Sequence, residues 1–343
     1  MKAVIDKLAR GKNLTVEETE TAIRDIMTGQ TEPAVIAAFL TALAIKGETR
    51  EEIAAAARVM RSLALQVELP ADLADVVVDP VGTGGDGEKL VNISTASAIV
   101  AAAGGVKIAK HGNVAASSAS GSADFLRESG CKFATSPTQI VASLQTCGFG
   151  FMHAQKFHSA MRFVAPVRKS IGIRTIFNIL GPLTNPASVK RQVLGVFDRR
   201  WLNIFAEVCR DLGSKKVIVV HSENGLDEFS VTHKNFVCEL QENGEIREYC
   251  INPKDFGFNY SDHRALQINS SVESVKLIRE IWTTGKPEIG FDMLSLNAAA
   301  IFVASGLVED FAAGIAKAKE IMTSGAASKQ LENIAAVTSS FGE

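Results

Sequence analysis

Apolar positions recur at helical spacing through roughly the first sixty-five residues. Beyond them, short apolar runs alternate with amphipathic stretches. Met1–Arg10 shows the first helical spacing. Thr15-Val16-Glu17-Glu18 is a capping box, a hydroxyl followed three residues later by a Glu, and it opens a helix that Gly29 ends. Glu32–Lys46 predicts a third helix, apolar on several sides and so buried on several sides, in part against another subunit. Thr49-Arg50-Glu51-Glu52 is a second capping box. Its helix carries its apolar positions at Ile53, Ala57, Met60, Leu63 and Leu65. So short a bundle has a thin core, and docking on the rest of the chain or dimerisation would supply the missing burial. Pro70 and the acidic stretch Ala71–Asp75 read as a linker.

From Asp75 the pattern changes. Val76–Val78, Val106–Lys110, Phe149–Met152, Gln192–Asp198 and Lys216–His221 read as buried strands. Between them lie helical stretches at Ala96–Gly104, Ala123–Glu128 and Trp201–Leu212, and one opened by the capping box Ser136-Pro137-Thr138-Gln139. Phe236–Ile251 reads as a hairpin turning at Asn243-Gly244. The chain from Ser270 reads as helices, with Gly306 and Gly325 as stops. The predicted class is α/β: a small helical N-terminal domain, 1–68, completed by about 168–188, and a larger α/β domain, 72–167 and 189–343. Its central sheet is mixed, mostly parallel and flanked by helices. His158–Ala187 fits neither pattern. It reads as a helix carrying Arg162, Arg168, Lys169 and Arg174 that ends in a Pro/Asn turn, a plain surface or one wall of an anion-binding cleft.

The 343 residues leave room for two domains. A formal net charge of −2 argues against nucleic acid or a membrane surface as the main partner. The five cysteines are scattered without metal spacing, so reduced thiols are expected. The N-terminus MKAVIDKLARGK lacks a signal-peptide core, and no apolar run approaches a membrane span in length. These features read as a soluble cytoplasmic protein.

The chemistry concentrates in DPVGTGGDGEKLVNIST, Asp79–Thr95. Gly82, Gly84, Gly85 and Gly87 crowd a turn from a strand to a helix, with Thr83 and Asp86 among them. Such a turn lets backbone N–H groups converge on a phosphate. Ser94 and Thr95 stand where the helix begins and suit a second phosphate. The loop lacks both the GK[ST] ending of a P-loop and the G-x-G-x-x-G order of a dinucleotide site. Lys110-His111-Gly112-Asn113 follows a strand, where α/β sheets place ligands. Lys110 suits a phosphate and Asn113 a second ligand, while His111 reads as a buried imidazole rather than a base. Asp227-Glu228 follows another strand and suits Mg²⁺ with substrate phosphates. No triad, zinc motif or covalent nucleophile stands out, and no acid or base is assigned. Positioning and charge neutralisation are the expected catalytic mode.

Together GTGGD at Gly82–Asp86, NIST at Asn92–Thr95, KHGN at Lys110–Asn113, GSAD at Gly121–Asp124, APVR at Ala165–Arg168, NILGPLTNP at Asn178–Pro186 and GLDE at Gly225–Glu228 resemble the anthranilate phosphoribosyltransferase family. The likeness spans nearly the whole chain. It implies a fold shared with pyrimidine nucleoside phosphorylases and a homodimer packed through the helical domain. It implies transfer of the phosphoribosyl group of 5-phosphoribosyl 1-diphosphate (PRPP) to anthranilate, in tryptophan biosynthesis, with Mg²⁺. By resemblance PRPP would meet Gly82, Gly85, Asp86, Asn92, Ile93, Ser94, Thr95, Lys110, His111, Gly112, Asn113, Ser117, Ser118 and Ser122. Anthranilate would meet Gly82, Asn113, Arg168, His111 and His158, with Arg168 on its carboxylate. Ser94, Asp227 and Glu228 would hold Mg²⁺.

The chain departs from the family pattern at Val114 and Ala119, where cations are usual, at Leu90, where a small hydroxyl residue is usual, and at Ser159, where Pro is. The first two predict weaker PRPP binding or an altered acceptor. The rival readings are a phosphoribosyltransferase for another aromatic acceptor, a pyrimidine nucleoside phosphorylase, and a non-catalytic paralogue binding a regulatory ligand or nucleic acid. GTGGDG differs from the phosphorylase loop STGGVGD. The retained carboxylates and the slightly acidic charge argue against the paralogue.

Overall fold

Seven strands form one sheet in the order β3-β2-β1-β4-β5-β6-β7. They are β1 (Val78–Gly82), β2 (Ile108–Gly112), β3 (Phe149–His153), β4 (Arg191–Gly195), β5 (Lys216–Ser222), β6 (Asn235–Leu240) and β7 (Ile246–Ile251). This is a computed structural model, and it describes residues 1–115 and 118–341. The pairs among β1 to β5 are parallel, whereas β5–β6 and β6–β7 are antiparallel, so the sheet is mixed and mostly parallel as expected.

The strand β5 is apolar from Val217 to Val220 because both faces of the sheet are covered there. In β5, Ile218 and Val220 enter one core with the helices Ile93–Ala103, Ser271–Thr284 and Glu288–Ser305. Val217 and Val219, one residue out of phase, enter the other. That second core joins the helix Trp201–Asp211 to the N-terminal helices α1 (Lys2–Ala9), α2 (Val16–Met27), α3 (Pro33–Lys46) and α4 (Arg50–Leu63). Val164, Val167, Ile176 and Phe177 join the same cluster, so the 160–180 stretch packs with the N-terminal helices. The thin bundle thus borrows burial from the sheet. All three expected capping boxes form, at Thr15/Glu18, Thr49/Glu52 and Ser136/Gln139.

Four expectations need correction. The first strand begins at Val78, with Val76 46 % exposed, and it runs on through Pro80 to Gly82. The glycine loop therefore starts on the strand itself. Ala71–Ala74 is a helical turn rather than an open linker. The stretch His158–Ala187 is not one helix. Pro166 opens the helix Ala165–Ile171, Gly172 ends it in the left-handed region at φ 66°, and Phe177–Leu180 is a separate turn followed by Pro182. Finally, the 18-residue helix Glu288–Ser305 is long and apolar enough to cross a membrane, against expectation, but 78 % of it is buried inside the fold.

Candidate functional site

The carboxyl ends of β1, β2, β4 and β5 converge, and two glycines let them do so. Gly82 of β1 pairs with Gly195 of β4. A Cβ on Gly195 would lie 1.5 Å from the backbone oxygen of Asp227, and one on Gly82 would lie 2.2 Å from the Asp227 Oδ2. Any side chain there would displace the 227–228 loop from the strand ends. Asn297 fixes that loop from behind. It accepts from the Phe229 N–H at 3.0 Å and donates to the Phe229 carbonyl at 2.8 Å. Its signal in the sequence is a lone amide in the apolar run Leu294–Val303.

Each carboxylate then meets a backbone donor. The Gly84 N–H donates to Asp227 Oδ2 at 2.6 Å, and the Ser94 N–H donates to Glu228 Oε1 at 3.2 Å. Ser94 lies in the first turn of the helix Ile93–Ala103, whose positive end favours an anion. Glu228 Oε2 is buried without a partner. Burial, then the neighbouring charges of Asp227 and Asp86, push the Glu228 carboxyl well above the usual range. Burial also raises Asp227, and burial with the facing Asp227 raises Asp86 to about 7. Asp227 and Glu228 line a cavity of about 20 Å³ together with Gly82, Ser94 and Asn297. Among the described residues no group of three His, Cys, Asp or Glu forms a metal site by itself. Two carboxylates and a hydroxyl around one small space fit Mg²⁺, which completes its shell with water and substrate oxygens. They fit no metal that needs an all-protein cage.

Lys110 is 2 % exposed and points beneath this centre. Its ammonium donates to the Pro80 carbonyl and, at 3.4 Å, to Ser94 Oγ. Burial lowers its pKa, while Asp79, Glu228 and Asp227 oppose that shift. It braces Ser94 and leaves the surface without its charge. Of the remaining residues expected to meet PRPP, Gly85 is exposed, Ile93 is buried in the core and Thr95 Oγ1 is buried without a partner among the described residues. Asn92 donates to the Ser120 carbonyl at 3.1 Å. The serine loop is tied to its own backbone. Ser118 Oγ donates to the Ser120 carbonyl and Ser122 Oγ to the Asn113 carbonyl, both at 3.3 Å. A Cβ on Gly112 would strike Ser122 Oγ at 2.1 Å. Ser117 lies outside the described residues. Val114 and Ala119 pack against the core, as does Leu90, which bridges to Gln267.

The second group of residues gathers around the Thr184-Asn185 turn. Asn185 Nδ2 donates to Asp79 Oδ2 at 2.7 Å and to the Ala109 carbonyl at 2.9 Å, and the His111 N–H donates to Asp79 Oδ1 at 3.1 Å. Asp79 is fully buried, which raises its pKa to about 6. Sequence reasoning assigned no role to Asp79 or Asn185, although both stand inside quoted motifs. The His111 and His158 rings lie 5.0 Å apart, and His158 Nε2–H donates to the Thr184 carbonyl at 2.9 Å. Burial depresses both imidazoles, to about 3 for His111 and about 4 for His158, so both are neutral at pH 7. His111 Nε2 is buried and unpartnered. Arg168, on the helix Ala165–Ile171, is half-buried. Its guanidinium lies 5.9 Å from the Phe177 ring and, among the described residues, has no ion pair. Asn113 is exposed and accepts from the Val114 N–H at 2.9 Å.

Residues 2–64 match the glycosyl transferase family, helical bundle domain, and residues 74–328 match its a/b domain. The anthranilate phosphoribosyltransferase of Hydrogenovibrio crunogenus is 45 % identical over 341 residues, which cover 99 % of each chain. The crystal structure of the Thermus thermophilus anthranilate phosphoribosyltransferase matches with a TM-score of 0.90 at 39 % identity, over 98 % of this chain and 99 % of that one. The Saccharomyces cerevisiae enzyme in complex with PRPP and Mg matches at 0.89 and 29 %, over 98 % and 97 %. The same yeast enzyme with 4-fluoroanthranilate matches at 0.87 and 28 %, again over 98 % and 97 %. With both domains matched in order and the relatives aligned end to end, the chain belongs to the anthranilate phosphoribosyltransferase family.

Proposed function

We propose that this protein transfers the phosphoribosyl group of PRPP to anthranilate, giving N-(5-phosphoribosyl)anthranilate and diphosphate, in tryptophan biosynthesis. The observation that carries the reading is the pair Asp227 and Glu228. Both are held by backbone N–H groups at one cavity between a glycine loop and a helix N-terminus. The donor's diphosphate lies on Gly82, Gly85, Asp86 and the Asn92–Thr95 turn. Ile93 takes part through its backbone alone, because its side chain is buried. Gly112, Ser117, Ser118 and Ser122 flank the donor, and Lys110 acts from below. Ser94, Asp227 and Glu228 hold Mg²⁺, which when bound neutralises charge on the leaving diphosphate.

Anthranilate sits against Gly82, Asn113, His111 and His158, with its carboxylate on the Arg168 fork. The amine nitrogen forms a bond to the ribose C1 as the bond from C1 to the diphosphate oxygen breaks. Positive charge grows on the sugar and negative charge on the leaving group. The backbone N–H groups of Gly85 and Asp86, set in the folded loop, would meet the second charge with little reorganisation, while the Gly84 N–H already serves Asp227. The neutral imidazoles line an apolar approach for an aromatic amine. No side chain is assigned as the base that takes the amine proton.

The helical domain, 1–68 with about 168–188, presents the acceptor, and the α/β domain, 72–167 and 189–343, presents the donor. Two copies pair through the helical domain. This is supported by α3, where Ala34 and Ala38 are exposed and Ile45 is 81 % exposed on an otherwise apolar helix. The protein works in the cytoplasm, where its thiols stay reduced. The decay of anthranilate fluorescence with purified protein tests the reaction. Loss that needs both PRPP and Mg²⁺ is the expected result. No loss, with PRPP still binding in calorimetry, moves the reaction to another acceptor.

A further inference from the structure

Arg174 lies in the short connection between the helix Ala165–Ile171, which carries Arg168, and the turn Phe177–Leu180. Ile176 and Phe177 anchor that connection in the core shared with the N-terminal helices. The side chain leaves this anchor and reaches the glycine loop. Its Nη2 donates to the Gly85 carbonyl, and its guanidinium lies over the Phe197 ring, 3.9 Å from the centroid. The Phe197 N–H donates to Thr83 Oγ1 at 3.2 Å, and the Thr83 N–H donates to the Gly195 carbonyl at 3.0 Å. The guanidinium therefore rests on a plate bonded to the same loop whose carbonyl it holds. Among the described residues no other side chain of the 154–187 stretch hydrogen-bonds to the 82–88 loop.

We propose that Arg174 is a positioning residue that ties the acceptor-bearing segment to the glycine loop and sets the Gly85–Asp86 peptide for the donor's diphosphate. The inference rests on the donor reading given under Proposed function. A trans peptide is planar, with its C=O and N–H on opposite edges. Holding the Gly85 carbonyl therefore aims the Asp86 N–H away from Arg174. Gly85 sits at φ 82°, a region glycine adopts at little steric cost, so its backbone is free to take several orientations and the hold on its carbonyl selects one. Charge points the same way. The 110–122 loop has Lys110 as its one cation, and that ammonium is buried under Ser94. Arg174 is exposed at the loop and, among the described residues, pairs with no carboxylate. A Lys at this position keeps a charge and one donor but loses the planar stack on Phe197.

The test is calorimetry of the full-length wild type, Arg174→Met and Arg174→Lys with PRPP plus Mg²⁺, and separately with diphosphate plus Mg²⁺. Thermal midpoints are recorded with and without each ligand. Arg174→Met is expected to weaken both ligands about tenfold, by equal factors, and Arg174→Lys about threefold. In turnover, the PRPP KM of Arg174→Met should rise by the same factor while kcat changes less than about twofold. A lower melting point with unchanged ligand affinity means a purely structural tie and overturns the proposal. So does weakening of PRPP with diphosphate unaffected. A wild type that binds no PRPP overturns the donor reading itself; wild-type binding with an unchanged Met variant overturns the role of Arg174 alone.

Discussion

The two halves of the site solve opposite problems. On the proposed donor side Asp227 and Glu228 line one cavity with Asp86 beside them; burial pushes all three carboxyl groups upward, and neighbouring carboxylates add to the rise at Asp86 and Glu228. On the proposed acceptor side two imidazoles lie 5.0 Å apart and neutral, and one guanidinium, among the described residues, has no ion pair. On the proposed reading, the first half stores a deficit of positive charge that a metal and its phosphate ligand would relieve together. The second stores little charge and, on the same reading, would select by shape and one fork. Changes to the first should therefore act on the reaction as a whole, and changes to the second on one substrate.

The sharpest break in that contrast is the double variant Asp227→Ala, Glu228→Ala. Turnover should fall by a factor on the order of 10³ or more. The metal-free protein should melt no lower than wild type, because the variant removes two buried carboxylates whose charged forms burial disfavours, one of them with an unpartnered oxygen. Steady-state assays and metal-free melting curves read the two parts. Normal turnover would remove the metal assignment, and a large drop in melting point would mean that the carboxylates are structural.

Next in size is the response of the histidine pair to acid. Both imidazoles are depressed in the folded state, His158 to about 4, while the unfolded chain binds protons near pH 6.5. Their contribution is intact above pH 6.5 and is lost as pH falls toward 4, on the order of 3 kcal/mol for His158. The raised carboxylates act with the opposite sign over part of this window, because the folded state holds their protons more tightly. The informative quantity is the difference between wild type and His158→Gln in denaturant titrations at pH 7, 5.5 and 4. The gap should narrow as pH falls. A constant gap would show that His158 does not titrate with folding.

Much of this arrangement is legible in the sequence because it depends on backbone register. Gly82–Asp86, Lys110–Asn113 and Asp227–Glu228 all follow apolar runs, and parallel strands bring their carboxyl ends together. What the sequence hides is direction. Lys110 looks like a phosphate cation, yet the strand turns it inward beneath Ser94. Asp79 and Asn185 lie 106 residues apart and meet only because the chain returns over β1. Arg174 reads as one of several cations on a continuous helix. Only the break at Gly172 frees it to reach the glycine loop. The 160–180 stretch misleads for the same reason, since its fold is set by the core it docks on rather than by its own periodicity.

On the acceptor side, Arg168→Ala should raise the anthranilate KM about tenfold and leave the PRPP KM within about twofold, as expected for loss of one fork on one carboxylate. Steady-state kinetics with each substrate varied in turn decide it. A larger effect on PRPP would place Arg168 in the donor half and dissolve the distinction between the two.

The smallest expected effect lies where the halves adjoin. Val114 is half-buried against the main core, and its backbone is pressed on Gly121, whose added Cβ would lie 2.5 Å from the Val114 carbonyl carbon. The chain path there is fixed by that contact and by Asp124, which accepts from the Ala115 N–H at 2.8 Å and the Gly121 N–H at 3.0 Å. A longer side chain therefore changes charge without changing the path. Val114→Arg can lay its methylene stem where the valine now packs and carry the guanidinium outward. The serine loop would then gain an exposed cation that buried Lys110 does not supply. PRPP binding by calorimetry should tighten about two- to fivefold, and the gain should shrink as salt is raised, because an exposed charge is screened. The anthranilate KM should stay fixed. An unchanged PRPP affinity would mean that the donor's charge is already met by the metal and the loop amides. Those would then suffice without any cation from this loop, and the comparison of the halves would rest on the carboxylates alone.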